Sequence, residues 1–137
     1  MKEVQNYLEK PVNVDEREVA KTLTQLSVAV TQRNLPLLSS LLFSDASIIL
    51  RSAKRIRAFN KQEYMDYVAE FAPDIQSLTY SDVLVRIEMT NTAIVSCICE
   101  IRLRNKLIPI RNKRLITFKK FNGSWFIHNA EENEWTA

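Results

Sequence analysis

The spacing of the apolar residues changes near Asp74, and this change limits the fold more than any other feature of the chain. Before Asp74, apolar residues recur every three or four positions, as Val19, Leu23 and Leu26 do, which is the spacing of an amphipathic helix. After it they occupy every second position, as on one face of a strand. Helices that precede a run of strands predict an α+β fold, with the helices packed against one face of a mostly antiparallel sheet.

Capping residues predict three N-terminal helices. Asp15 can cap the first helix, because Glu18 lies three residues later and can reach back to the amide of the cap. Asn34 can cap a second, shorter helix. Asn60 can cap a third helix, which Pro73 ends.

One short strand, residues 46–50, is predicted between the second and third helices, and four long strands follow Asp74. The last two of these strands are joined at Asn122-Gly123, a pair of residues typical of a tight hairpin turn. The long strands therefore form an antiparallel meander.

The composition is that of one globular domain: 137 residues, 46% hydrophobic and 26% charged. We assign residues 15–137 to this domain and residues 1–14, which contain Pro11, to an N-terminal arm. The first residues lack the apolar segment of a signal peptide, and no stretch approaches the about 18 apolar residues of a membrane span. The sequence thus predicts a cytoplasmic protein with no membrane partner.

Two segments resemble members of the NTF2-like superfamily, whose fold is a cystatin-like α+β cone. Residues 34–49 read as a leucine-rich helix, then an aromatic, a small residue and Asp before a β-branched strand. Residues 118–127 read as an aromatic strand, an Asn-Gly turn and a Trp that begins the last strand. The resemblance implies three helices on a strongly curved sheet around a central pocket, commonly in homodimers that pair the outer sheet faces. SnoaL-like, steroid-isomerase-like and plain binding proteins share this fold, so it specifies no single reaction.

The resemblance also directs attention to particular positions. A steroid-isomerase-like protein would have its general-base Asp near Leu50, and a leucine cannot abstract a proton. Positions of the last strand that often hold histidine in this superfamily are occupied by Asn129 and Glu131. If Trp125 faces the core, simple alternation points these two residues inward and His128 outward.

If Glu131 enters a largely apolar pocket, it is the candidate catalytic acid/base, because desolvation would favour its protonated form. The alternative, which the sequence favours, is that Glu131 lies at the solvated end of the strand beside Glu132 and Glu134. The residues predicted to line this pocket are Tyr64, Val85, Ile87, Cys97, Cys99, Trp125 and Asn129. Free cysteines are generally buried, so the sequence favours Cys97 and Cys99 as small buried hydrophobic residues over a specific role in the pocket. The single His and the two closely spaced Cys do not have zinc-site spacing, and the chain has no phosphate-binding glycine loop, so we expect no metal and no cofactor.

Basic residues cluster in two segments: residues 101–130 contain eight Lys or Arg and residues 46–62 contain five, with no acid in either. A solvated outer surface explains these clusters. Nucleic-acid binding is not favoured, because the aromatic residues are expected to be buried. The alternative is that Arg51, Arg55 and Arg57, near the mouth of the cone, bind an anionic ligand.

Three functions are compatible with the sequence. The leading hypothesis is a binding domain for an unidentified small hydrophobic or amphipathic molecule, and the sequence favours it over an enzyme. The second is a lyase or isomerase that uses Glu131, with Tyr64 as a hydrogen-bond donor. The third is a homodimeric association module built on apolar residues of the outer sheet face. Those outer-face residues are predicted to be Ile94, Ile98, Ile116 and Phe118.

Overall fold

The computed structural model describes Val4 and residues 13–135, except for the side chain of Trp135. Within these residues, three helices lie against one curved six-stranded sheet. The helices are α1 (Val14–Thr31), α2 (Leu35–Leu41) and α3 (Lys61–Phe71), the last followed by a 3₁₀ turn at Ala72–Asp74. The strands are β1 (Leu42–Arg51), β2 (Ile56–Asn60), β3 (Ile75–Glu88), β4 (Thr92–Leu103), β5 (Ile110–Phe121) and β6 (Ser124–Trp135). The predicted α+β class is confirmed.

The helices begin at the predicted kind of residue, with one correction. In α3, Asn60 Oδ1 accepts from the Glu63 amide at 2.8 Å while Glu63 Oε1 accepts from the Asn60 amide at 2.9 Å, a complete capping box. The cap of α1 is Asn13, not Asp15. The Asp15 carboxylate instead accepts hydrogen bonds from Lys120 Nζ and Trp125 Nε1 on the last hairpin. Of the arm predicted over residues 1–14, residues 1–3 and 5–12 lie outside the described residues, while Val4 is buried in the core.

The strand order in the sheet is β2-β1-β6-β5-β4-β3. All neighbouring strands are antiparallel except β1 and β6, which are parallel. The carboxyl ends of β1, β4 and β6 and the amino ends of β2, β3 and β5 therefore lie at the same end of the sheet. We call this the mouth end, because the cavity described below opens there.

The core lies between the inner sheet face and the helices, and its largest fully buried side chains include Phe118, Ile116, Leu23 and Leu38. The prediction that Ile116 and Phe118 lie on the outer face is therefore wrong. Inward residues of β5 are the even-numbered ones from Asn112 to Phe118, which places both of these side chains under the helices. No helix of the described part of the chain is long and apolar enough to cross a membrane.

Strand β6 contains an irregularity that reverses its inward face. Adjacent residues Thr117 and Phe118 of β5 pair with Asn129 and Ile127 of β6, so His128 is an extra residue, a β-bulge. Beyond the bulge the buried residues are Ala130 and Glu132. Because the bulge shifts the alternation by one residue, the prediction that Asn129 and Glu131 point inward is wrong.

Candidate functional site

A buried ion pair lies between the inner sheet face and α3. Arg114 Nη2 is 3.1 Å from Glu132 Oε1, and the two side chains are only 4% and 11% exposed. The Arg114 Nε donates a hydrogen bond to Asn112 Oδ1 at 2.9 Å. Three polar side chains thus share a surrounding that is otherwise largely apolar.

The register of the sheet brings these polar side chains together. Asn112 and Arg114 are successive inward residues of β5, and Arg114 is directly paired with Glu132 of β6. Glu132 occupies this inward position only because of the bulge at His128.

Burial perturbs the ionisation of this group. Desolvation raises the pKa of the Glu132 carboxyl, and the neighbouring Arg114 guanidinium opposes that rise. The pKa of Arg114 stays well above its ordinary value, because nearby acidic groups outweigh its own desolvation. Removing either side chain would leave a buried charge or a buried polar group without its partner.

The residues beside the pair are closely packed. The void between Tyr64, Ile116, Ile127 and Glu132 measures about 10 Å³, which is about the room needed by one water molecule. The interior next to Tyr64 is therefore too small for a ligand. Among the described residues, the buried Tyr80 hydroxyl has no hydrogen-bond partner.

A larger cavity, of about 180 Å³, opens at the mouth end of the sheet. Its polar lining consists of Arg51, Ser52, Arg55, Arg57, Asn112, Glu132 and Glu134. Its apolar lining consists of Leu50, Ile101 and Ile110, with Tyr67 on the side of α3. The ion pair is thus joined to the cavity through Glu132, while three arginines surround the opening.

Arg57 lies beside two aromatic rings that contact each other, Phe59 and Tyr67, whose centroids are 5.2 Å apart. Its guanidinium carbon lies 5.0 Å from the centroid of the Phe59 ring and 5.2 Å from that of Tyr67, within the range of cation–π contacts. Among the described residues, neither Arg55 nor Arg57 forms an ion pair with a carboxylate. Arg51 is different, because it lies 3.7 Å from Glu131.

No model of a protein family matches the sequence, and no functionally curated protein matches it. Solved structures do match. An NTF2-like protein from Cytophaga hutchinsonii has a TM-score of 0.75 at 19% identity, over 90% of this chain and 100% of that chain. A candidate calcium/calmodulin-dependent kinase II association domain from Exiguobacterium sibiricum has a TM-score of 0.76 at 19% identity, over 93% and 98%. A candidate dehydratase of the NTF2-like family from Streptomyces avermitilis has a TM-score of 0.73 at 18% identity, over 90% and 97%.

The chain has the NTF2-like fold. The similarity extends over nearly the whole chain, so the resemblance noted in residues 34–49 and 118–127 is confirmed at the level of the fold. The three matched proteins bear different functional descriptions, and at this identity the comparison defines the fold and not the activity.

In this NTF2-like cone, the residues predicted for the pocket are divided among several places. Tyr64, Val85, Cys97 and Cys99 are buried in the core, and Ile87 is half-buried at its edge. Trp125 is also buried, but its indole Nε1 donates to Asp15 at 3.2 Å, beside α1. None of these six residues lines the cavity at the mouth.

The two polar candidates of the last strand lie on the outer face of the cone. Asn129 is exposed, and Glu131 is half-exposed beside Arg51. The carboxylate that reaches the interior is the neighbour of the predicted one, Glu132.

Sequence reasoning missed the group formed by Asn112, Arg114 and Glu132. A signal for two of these residues was present: Asn112 and Arg114 alternate in phase with the apolar Ile110 and Ile116 of the same strand. A basic residue on the apolar face of a strand requires a buried acidic partner. No comparable signal pointed to Glu132, because its direction depends on the bulge.

Proposed function

We propose that this protein binds a small amphipathic molecule with an anionic group in the cavity at the mouth of its cone. The observation that carries the proposal is the lining of the 180 Å³ cavity, which combines Arg51, Arg55 and Arg57 with an apolar wall. Ligand sites in proteins typically combine an apolar lining with a few polar groups that set orientation.

The charges around the cavity define how such a molecule would lie. The arginines come from β1, β2 and the turn between them, whereas Glu132 and Glu134 come from β6, the next strand of the sheet after β1. An anionic group is therefore attracted towards Arg55 and Arg57 and repelled by the β6 side. Arg57 suits this role because its guanidinium contacts the Phe59 and Tyr67 rings and forms no ion pair with a described carboxylate, so its N–H groups are available to a ligand carboxylate.

The size of the cavity restricts the ligand. A volume of about 180 Å³ is below the about 300–1,000 Å³ of sites that bind drug-sized molecules. A second cavity of about 370 Å³ adjoins it at Arg57 and Tyr67 and is lined also by Glu70, Phe71 and Asp74. A ligand confined to the smaller cavity is thus a small carboxylate with a short apolar or aromatic body, which would contact Leu50, Ile101 and Ile110.

Paired probes that differ in charge test the proposal. We expect benzoate to raise the melting temperature and to shift amide resonances of β1 and β2, because a ligand that binds the folded state stabilises it. Benzamide, which has the same shape without the charge, should have a much smaller effect. Arg57→Met should weaken benzoate binding about tenfold, the scale of losing one charge-assisted hydrogen bond.

The matched control is Arg86→Met, which removes an exposed arginine that pairs with Glu88 on β3 and does not line the cavity. This variant should bind benzoate like the wild type. Equal binding of benzoate and benzamide, or absence of benzoate binding to the wild type, would contradict the proposal.

A lyase or isomerase that uses Glu131 is not favoured by the geometry. The Glu131 side chain lies on the outer face, paired in register with Ile49 and Leu115, and does not line the cavity. The neighbouring Glu132 is buried, and its carboxylate is already paired with the Arg114 guanidinium.

Homodimer formation through the outer sheet face is a second candidate function, and one observation favours it. Leu84 and Leu115 are 60% and 45% exposed, and register places both on one cross-strand row that also contains Ser96, Glu131 and Ile49. Ile94 and Ile98 of the predicted surface are half-buried on neighbouring strand positions. The exposed leucines of this face are the kind of apolar side chain that a second subunit covers.

A further inference from the structure

The turn between β4 and β5 presents two apolar side chains to solvent. Leu107 is 98% exposed and Ile108 is 81% exposed, and they are adjacent at the turn. Single exposed apolar residues are ordinary on protein surfaces, but two fully exposed aliphatic neighbours at the tip of a turn contribute nothing to the core. Their position therefore calls for a partner that takes up apolar side chains.

Cations surround this tip. Arg104 and Lys106 belong to the same turn, and among the described residues neither forms an ion pair with a carboxylate. Arg102 and Arg111 flank the turn and share Glu100 between them, at 3.0 and 3.3 Å. The turn thus combines an apolar tip with uncompensated positive charge.

The β1–β2 turn adds to the same surface. It lies at the mouth end of the sheet, as the β4–β5 turn does, and both turns flank the cavity, which contacts Arg55 on one side and Ile110 on the other. Lys54 and Arg55 of this turn form no ion pair with a described carboxylate, and Ile56 beside them is exposed. The acidic side chains near this end that lack an ion pair among the described residues are Glu70, Asp74 and Glu134, and they are outnumbered by the cations Lys54, Arg55, Arg57, Arg104 and Lys106.

We propose that the mouth end of the cone docks on the surface of a lipid bilayer that contains anionic lipids. The Leu107 and Ile108 side chains enter the boundary between headgroups and acyl chains, and Lys54, Arg55, Arg104 and Lys106 contact the anionic headgroups. Apolar insertion combined with basic residues is the physical basis of peripheral membrane binding.

Other partners fit this surface less well. A nucleic acid would be bound through stacking aromatic side chains, and neither turn contains one. A protein–protein interface has an apolar centre surrounded by a polar rim that forms hydrogen bonds. The apolar side chains here instead project from a single turn. The sequence-based expectation of no membrane partner rested on the lack of a membrane span, and surface docking requires no span.

Vesicle co-sedimentation tests the proposal without any cavity ligand. We expect the full chain to bind vesicles of phosphatidylcholine mixed with phosphatidylserine and not vesicles of phosphatidylcholine alone. Binding should weaken strongly between about 0.1 M and about 1 M salt, as the screening length falls from about 10 Å to about 3 Å. Lys106→Gln should lower the partition coefficient about fivefold, the contribution of one cation at an anionic surface.

The double variant Leu107→Ser/Ile108→Ser should lower that coefficient more than about tenfold, because it removes the inserted side chains. The matched control is Met89→Ser, which replaces another highly exposed apolar residue at the opposite end of the sheet and should bind like the wild type. Because these side chains are exposed, the substitutions should leave the fold intact, and thermal unfolding followed by circular dichroism checks this.

Two results would overturn the proposal: no binding of the wild type to the mixed vesicles at low salt, or binding that Leu107→Ser/Ile108→Ser leaves unchanged. The first would point to a protein partner for this surface. Neither Leu107 nor Ile108 lines the cavity, so failure here is distinguishable from failure of the carboxylate-binding proposal.

Discussion

At the scale of single residues, the stability of the interior depends on the ion pair between Arg114 and Glu132. Both side chains are removed from water, so each charge is stabilised by the other and by the hydrogen bond from Arg114 to Asn112. A second, more exposed ion pair, Arg51–Glu131, lies on the outer face of the sheet, because Glu131 is the residue before Glu132 in β6. The two neighbouring glutamates therefore provide a matched comparison of buried and solvated carboxylates.

Glu132→Gln should lower the free energy of unfolding by about 3–5 kcal/mol, because it leaves Arg114 charged and buried without a counterion. Glu131→Gln, the control, should change it by less than about 1 kcal/mol. The double variant Arg114→Met/Glu132→Gln should recover much of the loss. Urea unfolding of the four proteins measures these changes, and equal effects of the two glutamine variants would refute the assignment of Glu132 to the interior.

Cys97 and Cys99 should be unreactive thiols in the folded protein. Burial raises the pKa of Cys97 to about 12 and raises that of Cys99 as well, so neither forms the nucleophilic thiolate at pH 8. We expect negligible reaction with 5,5′-dithiobis(2-nitrobenzoate) in buffer and reaction of both thiols in denaturant. Rapid modification of the native protein would show that these residues line an open pocket.

The same thiols give the sign of one pH dependence. The ordinary pKa of Cys97 is 9.0 and the folded value is about 12, so above pH 9 the unfolded chain releases a proton that the folded chain retains. The free energy of unfolding should therefore fall as the pH rises from 9 towards 12. The variant Cys97→Ala should show a smaller fall over that interval in thermal unfolding, and an identical fall would contradict this assignment.

Elements of the cone are positioned by local signals at their ends. The capping box of α3 is an example, since Asn60 ends β2 and begins the helix that places Tyr64 in the core and Tyr67 at the cavity. At the same end of the sheet, opposite the mouth, Asn122 and Gly123 both have positive φ angles, as a tight hairpin turn requires. These signals act within a few residues, which is why they could be read from the sequence.

Asn60→Ala should lower the free energy of unfolding by about 1 kcal/mol, because the amide of Glu63 loses its acceptor. Asn60→Asp keeps an acceptor and serves as the control, with a change of only a few tenths of a kcal/mol expected. Urea denaturation followed by far-ultraviolet circular dichroism measures both. A destabilisation by Asn60→Asp as large as that by Asn60→Ala would argue against the cap.

At the scale of the whole molecule, two surfaces have distinct characters. The mouth end is basic and bears the cavity, while the outer sheet face bears the row of Leu84, Leu115 and their neighbours. Since the two surfaces do not coincide, docking at the mouth and pairing of subunits would be compatible with each other.

Sedimentation equilibrium tests the pairing of subunits. If the outer faces pair, the wild type should be a dimer at micromolar concentration and Leu115→Glu should be a monomer, because a charge would be buried at the centre of the interface. Met89→Glu, an exposed residue of the β3–β4 turn, is the control and should stay dimeric. A monomeric wild type at every concentration would exclude this interface.

The sequence by itself determined the order of the elements and hence the α+β class. Apolar spacing, the Asn60 cap and the Asn122-Gly123 turn depend on interactions between residues close in the chain, so they are legible without the fold. The burial of Cys97 and Cys99 followed from the general tendency of free cysteines to be buried.

Only the tertiary structure decided which polar groups enter the cone. The bulge at His128 depends on how β6 pairs with β5. Because of the bulge, Glu132 and not Glu131 points into the interior. The outer-face assignment of Ile116 and Phe118 failed because both faces of β5 carry apolar residues, so alternation could not say which face the helices cover. The free volume beside Tyr64 and at the mouth likewise follows from side chains of several elements packed together, which no local pattern specifies.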